Sequence, residues 1–202
     1  MSCEILNKCG GLPLAIITVA SILACQPTRL KDEWEQIQDC LLTSQAPTNS
    51  TLTDMMHILD LSYKFLPRHI KACFLYLGTY PEDHKIEKDE LVRKLVAEGF
   101  VSGQVRRSAW DVAESYLNEL VNRSMIQLAY RDYDFFKKPY YKVHDMMLDL
   151  ILKRCMENNF IKLVHDPQAK AELQVKVRRL TVHTAADVTI SRQLSQVRSL
   201  SL

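Results

Sequence analysis

The sequence predicts a mainly α protein: a short helical segment, a larger helical domain ending in a two-strand element and a helix, and a β-rich tail. Three observations predict it. Apolar residues recur at helical spacing over most of the chain as far as Val121. The period then drops towards two over Met125–Tyr130 and Tyr140–Val143, and returns to helical from Met146. Finally, "VRRLTV" (Val177–Val182) recurs twenty residues later as "VRSLSL" (Val197–Leu202), with its apolar positions in register.

Residues 1–45 read as the helical segment. Met1–Cys9 is a short amphipathic start broken by Gly10-Gly11. Pro13 then stands where a helix tolerates proline best, since its missing N–H costs nothing at the first position. Leu14, Ile17, Ala20, Ile22 and Leu23 are apolar nearly all round, which predicts a buried helix stopped by Gln26-Pro27-Thr28. A second helix, about Lys31 to Leu42, carries Trp34, Ile37 and Leu41 on one face. Thr43–Thr53 is polar, contains a proline and lacks a period, so it reads as a linker.

Residues 46–157 read as the larger domain. Met55, Ile58, Leu59 and Leu61 mark one helix, ended near Phe65 by Pro67, which opens the next through Ile70, Cys73, Phe74 and Leu77. Tyr80–Asp83 turns the chain. A third helix over about Glu87 to Phe100 packs through Leu91, Val92, Leu95 and Val96. Ser108 can cap a long helix carrying Val112, Tyr116, Leu117, Leu120 and Val121. The two short strands, joined by the charged and aromatic loop Arg131–Pro139, precede a helix that begins near His144-Asp145. Helices, a two-strand wing and a further helix make up a winged-helix order. Residues 158–202 then hold a linker and the repeated L-x-L strands, the onset of a leucine-rich solenoid, in which each copy buries its apolar face against its neighbour.

Composition bounds the function. With 202 residues, 47% hydrophobic and 25% charged, the chain falls in the ordinary globular range, and a net charge of +2 gives no electrostatic reason for a nucleic-acid or membrane partner. Six cysteines without a C-x-x-C pair predict reduced, mostly buried thiols in a cytoplasmic or nuclear protein. The apolar run Leu12–Cys25 has no cleavage context and falls short of the roughly 20 residues that span a bilayer. His69 and Cys73, four apart on a helix, could form half a metal site, but no second half is evident, so no metal is expected. Neither a G-x-x-x-x-G-K-[ST] loop nor a G-x-G-x-x-G turn occurs among the five glycines, and no catalytic constellation stands out. Duplex DNA binding is the rival that a winged helix raises. Its candidate reading helix, Glu87–Val101, sets Lys88, Arg93 and Lys94 against Glu87, Asp89, Glu90 and Glu98 and lacks Asn and Gln, which argues against it.

Three motifs occur in order: "CGGLPLAI" (Cys9–Ile16), "CFLYLGTYPEDHKIEKDELVRKLVAEGFV" (Cys73–Val101) and "VHDMMLDLI" (Val143–Ile151). They resemble the GLPL motif, the CFLY–FPED block and the MHD motif of the NB-ARC region in plant nucleotide-binding leucine-rich-repeat disease resistance proteins. The resemblance covers essentially the whole chain and implies an ADP/ATP-dependent switch in innate immunity, in which bound ADP holds the resting state. By motif, Pro13 would contact the adenine side of ADP and His144 would approach its β-phosphate. Gly11, Leu12 and Leu14 would shape the first motif, and Asp145 would steady the histidine and its helix.

Departures from the family pattern also count. Val143 replaces the methionine of MHD, and Leu95 stands where tryptophan is common. The P-loop lysine, the Mg²⁺-binding acids and the sensor arginine have no counterpart here. The expectation is a receptor fragment that does not hydrolyse ATP, binds ADP weakly by itself, and works with other receptor domains or chains in oligomeric signalling complexes. A nucleotide-independent interaction or decoy module, binding other receptor chains, is the alternative function. A DNA-binding winged helix is the second. On residue chemistry alone, Pro13 is equally a helix N1 residue and Asp145 is most simply an N-cap.

Overall fold

A computed structural model describes residues 9–25, 35, 39, 51–130, 138–164, 179–182 and 199–201; at 51–54 and beyond 161 it describes the backbone alone. The elements in chain order are α1 (Pro13–Ala24), α2 (Thr51–Lys64), α3 (Arg68–Tyr76), a 3-10 turn (Leu77–Thr79), β1 (Ile86–Glu87), α4 (Lys88–Ala97), α5 (Ala109–Asn122), β2 (Gln127–Tyr130), β3 (Pro139–Lys142), α6 (Asp145–Glu157), β4 (Lys162–Val164), β5 (Arg179–Val182) and β6 (Ser199–Ser201). The mainly α expectation holds, with a small sheet in the middle of the chain.

Pro13 is the first residue of α1, as its missing N–H favours, and Gly10 and Gly11 precede it at φ of +57° and +71°. The helix is not buried all round. Ala15, Thr18, Val19, Ser21 and Ile22 face inwards, whereas Ile17 is 50% exposed. Of the expected helix 31–42, only Glu35 and Asp39 lie among the described residues, and both are helical; Trp34 lies outside them. The expected linker ends sooner than its polarity suggests, because Thr51–Thr53 already belong to α2.

Helices α2 and α3 meet at Pro67, which caps α3 from just outside. Helix α4 stops short of Phe100. Gly99 adopts φ +73°, its amide bonds the Val96 carbonyl at 3.0 Å and the Phe100 amide bonds the Leu95 carbonyl at 3.1 Å, a Schellman ending. Ser108 caps α5 as expected: its hydroxyl accepts from the Asp111 amide at 3.1 Å while the Asp111 carboxylate accepts from the Ser108 amide at 3.0 Å.

The sheet has three strands, in the order β1-β3-β2, where a two-strand wing was expected. Ile86 and Glu87 pair antiparallel with Tyr141 and Tyr140. Leu91, Val92 and Leu95 of α4, Val112, Leu117 and Leu120 of α5, and Tyr141 of β3 close the core over this sheet. The helix that feeds the first wing strand is α5, not the segment Glu87–Val101 proposed as the DNA-reading helix. Helix α5 carries Asp111, Glu114 and Glu119 and neither lysine nor arginine, so the correction argues further against duplex binding.

Beyond α6, β4, β5 and β6 form a separate parallel ladder. Leu180 stands opposite Leu200 and Arg179 opposite Ser199, the pairing that the twenty-residue repeat predicts. Strand β4, unanticipated, adds Lys162 opposite Leu180. Val177, Val197 and Leu202 lie outside the described residues.

Candidate functional site

The junction of β3 with α6 carries the candidate site. Tyr141, fully buried, anchors β3, and burial pushes its phenol up to about 12. Three residues on, His144 keeps an extended backbone (φ −72°, ψ 142°) and becomes the N-cap of α6. Its Nδ1 accepts from the Met146 amide at 3.3 Å, and its backbone carbonyl accepts from the amides of Met147 and Leu148 at 2.8 and 2.9 Å. Asp145, expected as the cap, is instead the first helical residue. The extended strand delivers His144 to the cap position, whatever the intrinsic preference of its neighbour.

An imidazole that accepts at Nδ1 is neutral there and carries its proton on Nε2. His144 is exposed, and its Nε2 has no partner among the described residues. The site therefore presents one outward N–H donor at the positive end of a 13-residue helix. Asp145, also exposed, places a carboxylate in the first turn, where the helix dipole favours it.

Packing fixes the rest of α6. Met147, Leu150 and Ile151 are buried beneath it, and the Cys155 thiol donates to the Leu75 carbonyl at 3.4 Å. Arg154 bonds Asp60 of α2 and Glu157 one turn on, and its guanidinium lies 5.3 Å from the centre of the Tyr63 ring. Sequence reasoning missed this clamp, because no local pattern links Asp60 to a residue so far along the chain.

The other predicted site residues gather at the start of α1. Pro13 and Gly11 are exposed, and Leu12, the N-cap, and Leu14 are half-buried. Helices α1 and α6 both pack against α2, so α2 lies between the two motifs. A second link fastens α1 to the larger domain: Ser21 Oγ lies 2.7 Å from Ser124 Oγ, and Ser124 reaches it from a left-handed turn (φ +56°) after α5.

The remaining candidates take structural places. His69 packs on the Tyr116 ring at 4.9 Å, while Cys73 is fully buried and its thiol is pushed up to about 12 by desolvation. Among the described residues no group of three or more His, Cys, Asp and Glu could hold a metal ion. Trp110 is 36% exposed, its indole N–H donating to Glu114 at 3.1 Å, so it lies at the surface rather than in the core. Among the described residues no helix is long and apolar enough to cross a membrane.

Comparison with known proteins bears directly on this junction. Residues 79–151 match the family described as disease resistance protein winged helix domain, a span that runs from the 3-10 turn through all three strands and into α6 past His144. By this match and by its element order, the segment is a winged helix domain. Similarity extends well beyond it. The disease resistance protein PIK6-NP of Oryza sativa subsp. japonica is 35% identical over 198 residues, covering 96% of this chain and 19% of that protein. RGA5, from the same source, is 35% identical over 206 residues, covering 100% of this chain and 18% of that protein. RPH8A of Arabidopsis thaliana is 34% identical over 212 residues, covering 99% of this chain and 23% of that protein. The chain thus spans about a fifth of the length of these relatives. His144 sits inside the winged helix domain, and Pro13 lies in the part reached only by the longer similarities.

Proposed function

We propose that this chain forms one side of an ADP/ATP-dependent switch in a plant immune receptor, with the winged helix domain presenting His144 to the nucleotide. The observation that carries the reading is the cap itself. By tying Nδ1 to the Met146 amide, the fold aims a neutral Nε2–H donor outward from the N-terminus of α6, which suits an anionic oxygen. When bound, ADP would supply phosphate oxygens for that donor. Pro13, exposed at the start of α1, would offer an apolar ring face to the adenine side. Asp145 supports α6 through its dipole rather than by bonding the imidazole, whose ring nitrogen is bonded to Met146.

The reading extends to the rest of the chain. The parallel ladder β4-β5-β6, with its twenty-residue offset, supports a tail that begins a leucine-rich solenoid. Its partners would be other domains or chains of the receptor. The free thiols of Cys9, Cys25, Cys73 and Cys155 suit a cytoplasmic or nuclear setting. With no P-loop sequence, this chain would neither hydrolyse ATP nor hold ADP tightly by itself.

Two measurements test the proposal. Isothermal titration of the 202-residue chain with ADP should give binding weaker than micromolar; sub-micromolar affinity would overturn the division of labour. Transcript sequencing across the locus tests for upstream coding sequence with G-K-[ST]. The protein encoded by that transcript should purify with ADP, and His144→Asn should lose it. Equal ADP content in the two proteins would remove His144 from the site.

A further inference from the structure

Where α2 meets α3, cations gather without matching acids. Lys64 ends α2 and Arg68 opens α3, both exposed, and Lys71 follows one turn later, half-buried. Lys71 Nζ donates to the Lys64 carbonyl at 3.4 Å and lies 4.9 Å over the Tyr63 ring, which also receives Arg154 at 5.3 Å. Two cations share one ring. Asp60 and Glu157 are both bonded to Arg154. Lys64, Arg68 and Lys71 meet no carboxylate among the described residues. Burial pushes the Lys71 ammonium below its ordinary value, and the charges of Arg68 and Arg154 add to the shift. Helix α3 adds its positive end to the same face, with no acid in its first turn.

We infer that Lys64, Arg68 and Lys71 form a docking face for an acidic, Asp- and Glu-rich segment of a protein partner. Such a segment supplies several carboxylates in series, which suits cations spread over two helix ends. A compact phosphate could draw on only the first two amides of α3, because the Ile70 and Lys71 amides already bond the Pro67 carbonyl at 3.0 and 3.3 Å. Lys71, tethered to Lys64 and Tyr63, is preordered for contact and loses little freedom on docking. The face lies apart from His144, so this inference stands whether or not the nucleotide reading holds.

The test is fluorescence anisotropy of a short labelled Glu-rich peptide with the 202-residue chain at low salt. Arg68→Glu and Lys64→Glu, both at exposed positions, should each weaken binding about tenfold. Lys138→Glu, exposed elsewhere and identical in net charge change, should leave it unchanged. Absence of binding to the unaltered chain would overturn the proposal, as would an equal loss with Lys138→Glu. So would inorganic phosphate that displaces the peptide where sodium chloride of the same ionic strength does not, since the face would then be a phosphate site.

Discussion

Gly78→Ala should loosen the seat of the helix that carries His144. A Cβ built on Gly78 would lie 2.9 Å from Ile151 Cγ2, 3.4 Å from Leu152 Cδ2 and 3.5 Å from Cys155 Sγ. Carbon atoms settle at about 3.5–4.0 Å, so the new methyl intrudes on Ile151 by about 0.6 Å. Ile151 is fully buried and Cys155 nearly so, which leaves the isoleucine little room and passes the displacement to α6. Overpacking of this kind costs about 1–3 kcal/mol. For a chain of this size, ~2 kcal/mol lowers the thermal midpoint by roughly 4–8 °C. The assay is thermal unfolding of Gly78→Ala, Ile151→Ala and the double variant. Ile151→Ala alone should cost about 2–5 kcal/mol for its cavity. The new methyl partly fills that cavity, so the double variant should be more stable than the sum of the singles by about 1 kcal/mol. A Gly78→Ala midpoint equal to that of the unaltered chain, or strict additivity, would refute the close approach.

Other positions give shorter tests. Cys73 and Cys155 have thiols raised from 9.0 to about 12 by burial, so the unfolded chain loses those protons first and stability should fall between these pH values. Thermal midpoints through that window check it, and a flat profile would contradict the burial. Ser108→Ala should cost about 1 kcal/mol through the lost cap of α5, read by urea unfolding. The same substitution should raise the Asp111 carboxylate, now held low by the Ser108 hydroxyl and amide, towards its ordinary range. Asp111 contributes above that range and loses its contribution as pH falls through the depressed value, which carbon NMR titration can follow. Arg154→Met should cost about 1–2 kcal/mol by stranding half-buried Asp60, and a cycle with Asp60→Asn showing no coupling would dismiss the clamp. His144→Asn should stabilise α6 by about 0.5 kcal/mol, because Asn is the better N-cap, and a loss of stability would mean that the ring does more for the fold than cap it.

Much of the architecture was legible because local signals agreed with tertiary demand. Ser108 with Asp111, Pro13 after two glycines, and the twenty-residue offset of Leu180 and Leu200 each pair a sequence signal with one geometry. What escaped had no local signature. Strand β1 is two residues long, too short to show a period, and exists through its pairing with Tyr140 and Tyr141. The early end of α4 depended on Gly99 taking a left-handed conformation two residues beyond the last helical residue, amid side chains that still read as helical. The helix facing the wing was misassigned for a related reason. Helical period alone ranks α4 and α5 equally, and chain order into β2 is what selects α5. At the junction of β3 with α6 the sequence favoured Asp145 as the cap, and His144 holds that place in exchange. Propensity favours an aspartate cap, whereas the path of β3 sets the cap one residue earlier.

That exchange is informative about function. Histidine is not among the favoured N-cap residues, and a preferred one stands next to it at Asp145. A junction shaped only to begin a helix would gain from Asn, Ser or Asp at position 144. An aspartate there would repel any anion approaching the helix, and serine or asparagine, being shorter, would hold its donor closer to the helix end. Imidazole can do both at once, since one nitrogen accepts from Met146 while the other points a proton outward along a direction that the cap holds still. Protonation at Nδ1 would break that arrangement by turning the acceptor into a donor. Beneath it, Gly78 admits α6 closely and Arg154 ties it to α2, so the outward N–H is aimed by packed core rather than by a loose loop. A suboptimal cap on a firmly seated helix is the combination expected where the side chain serves a ligand as well as the fold.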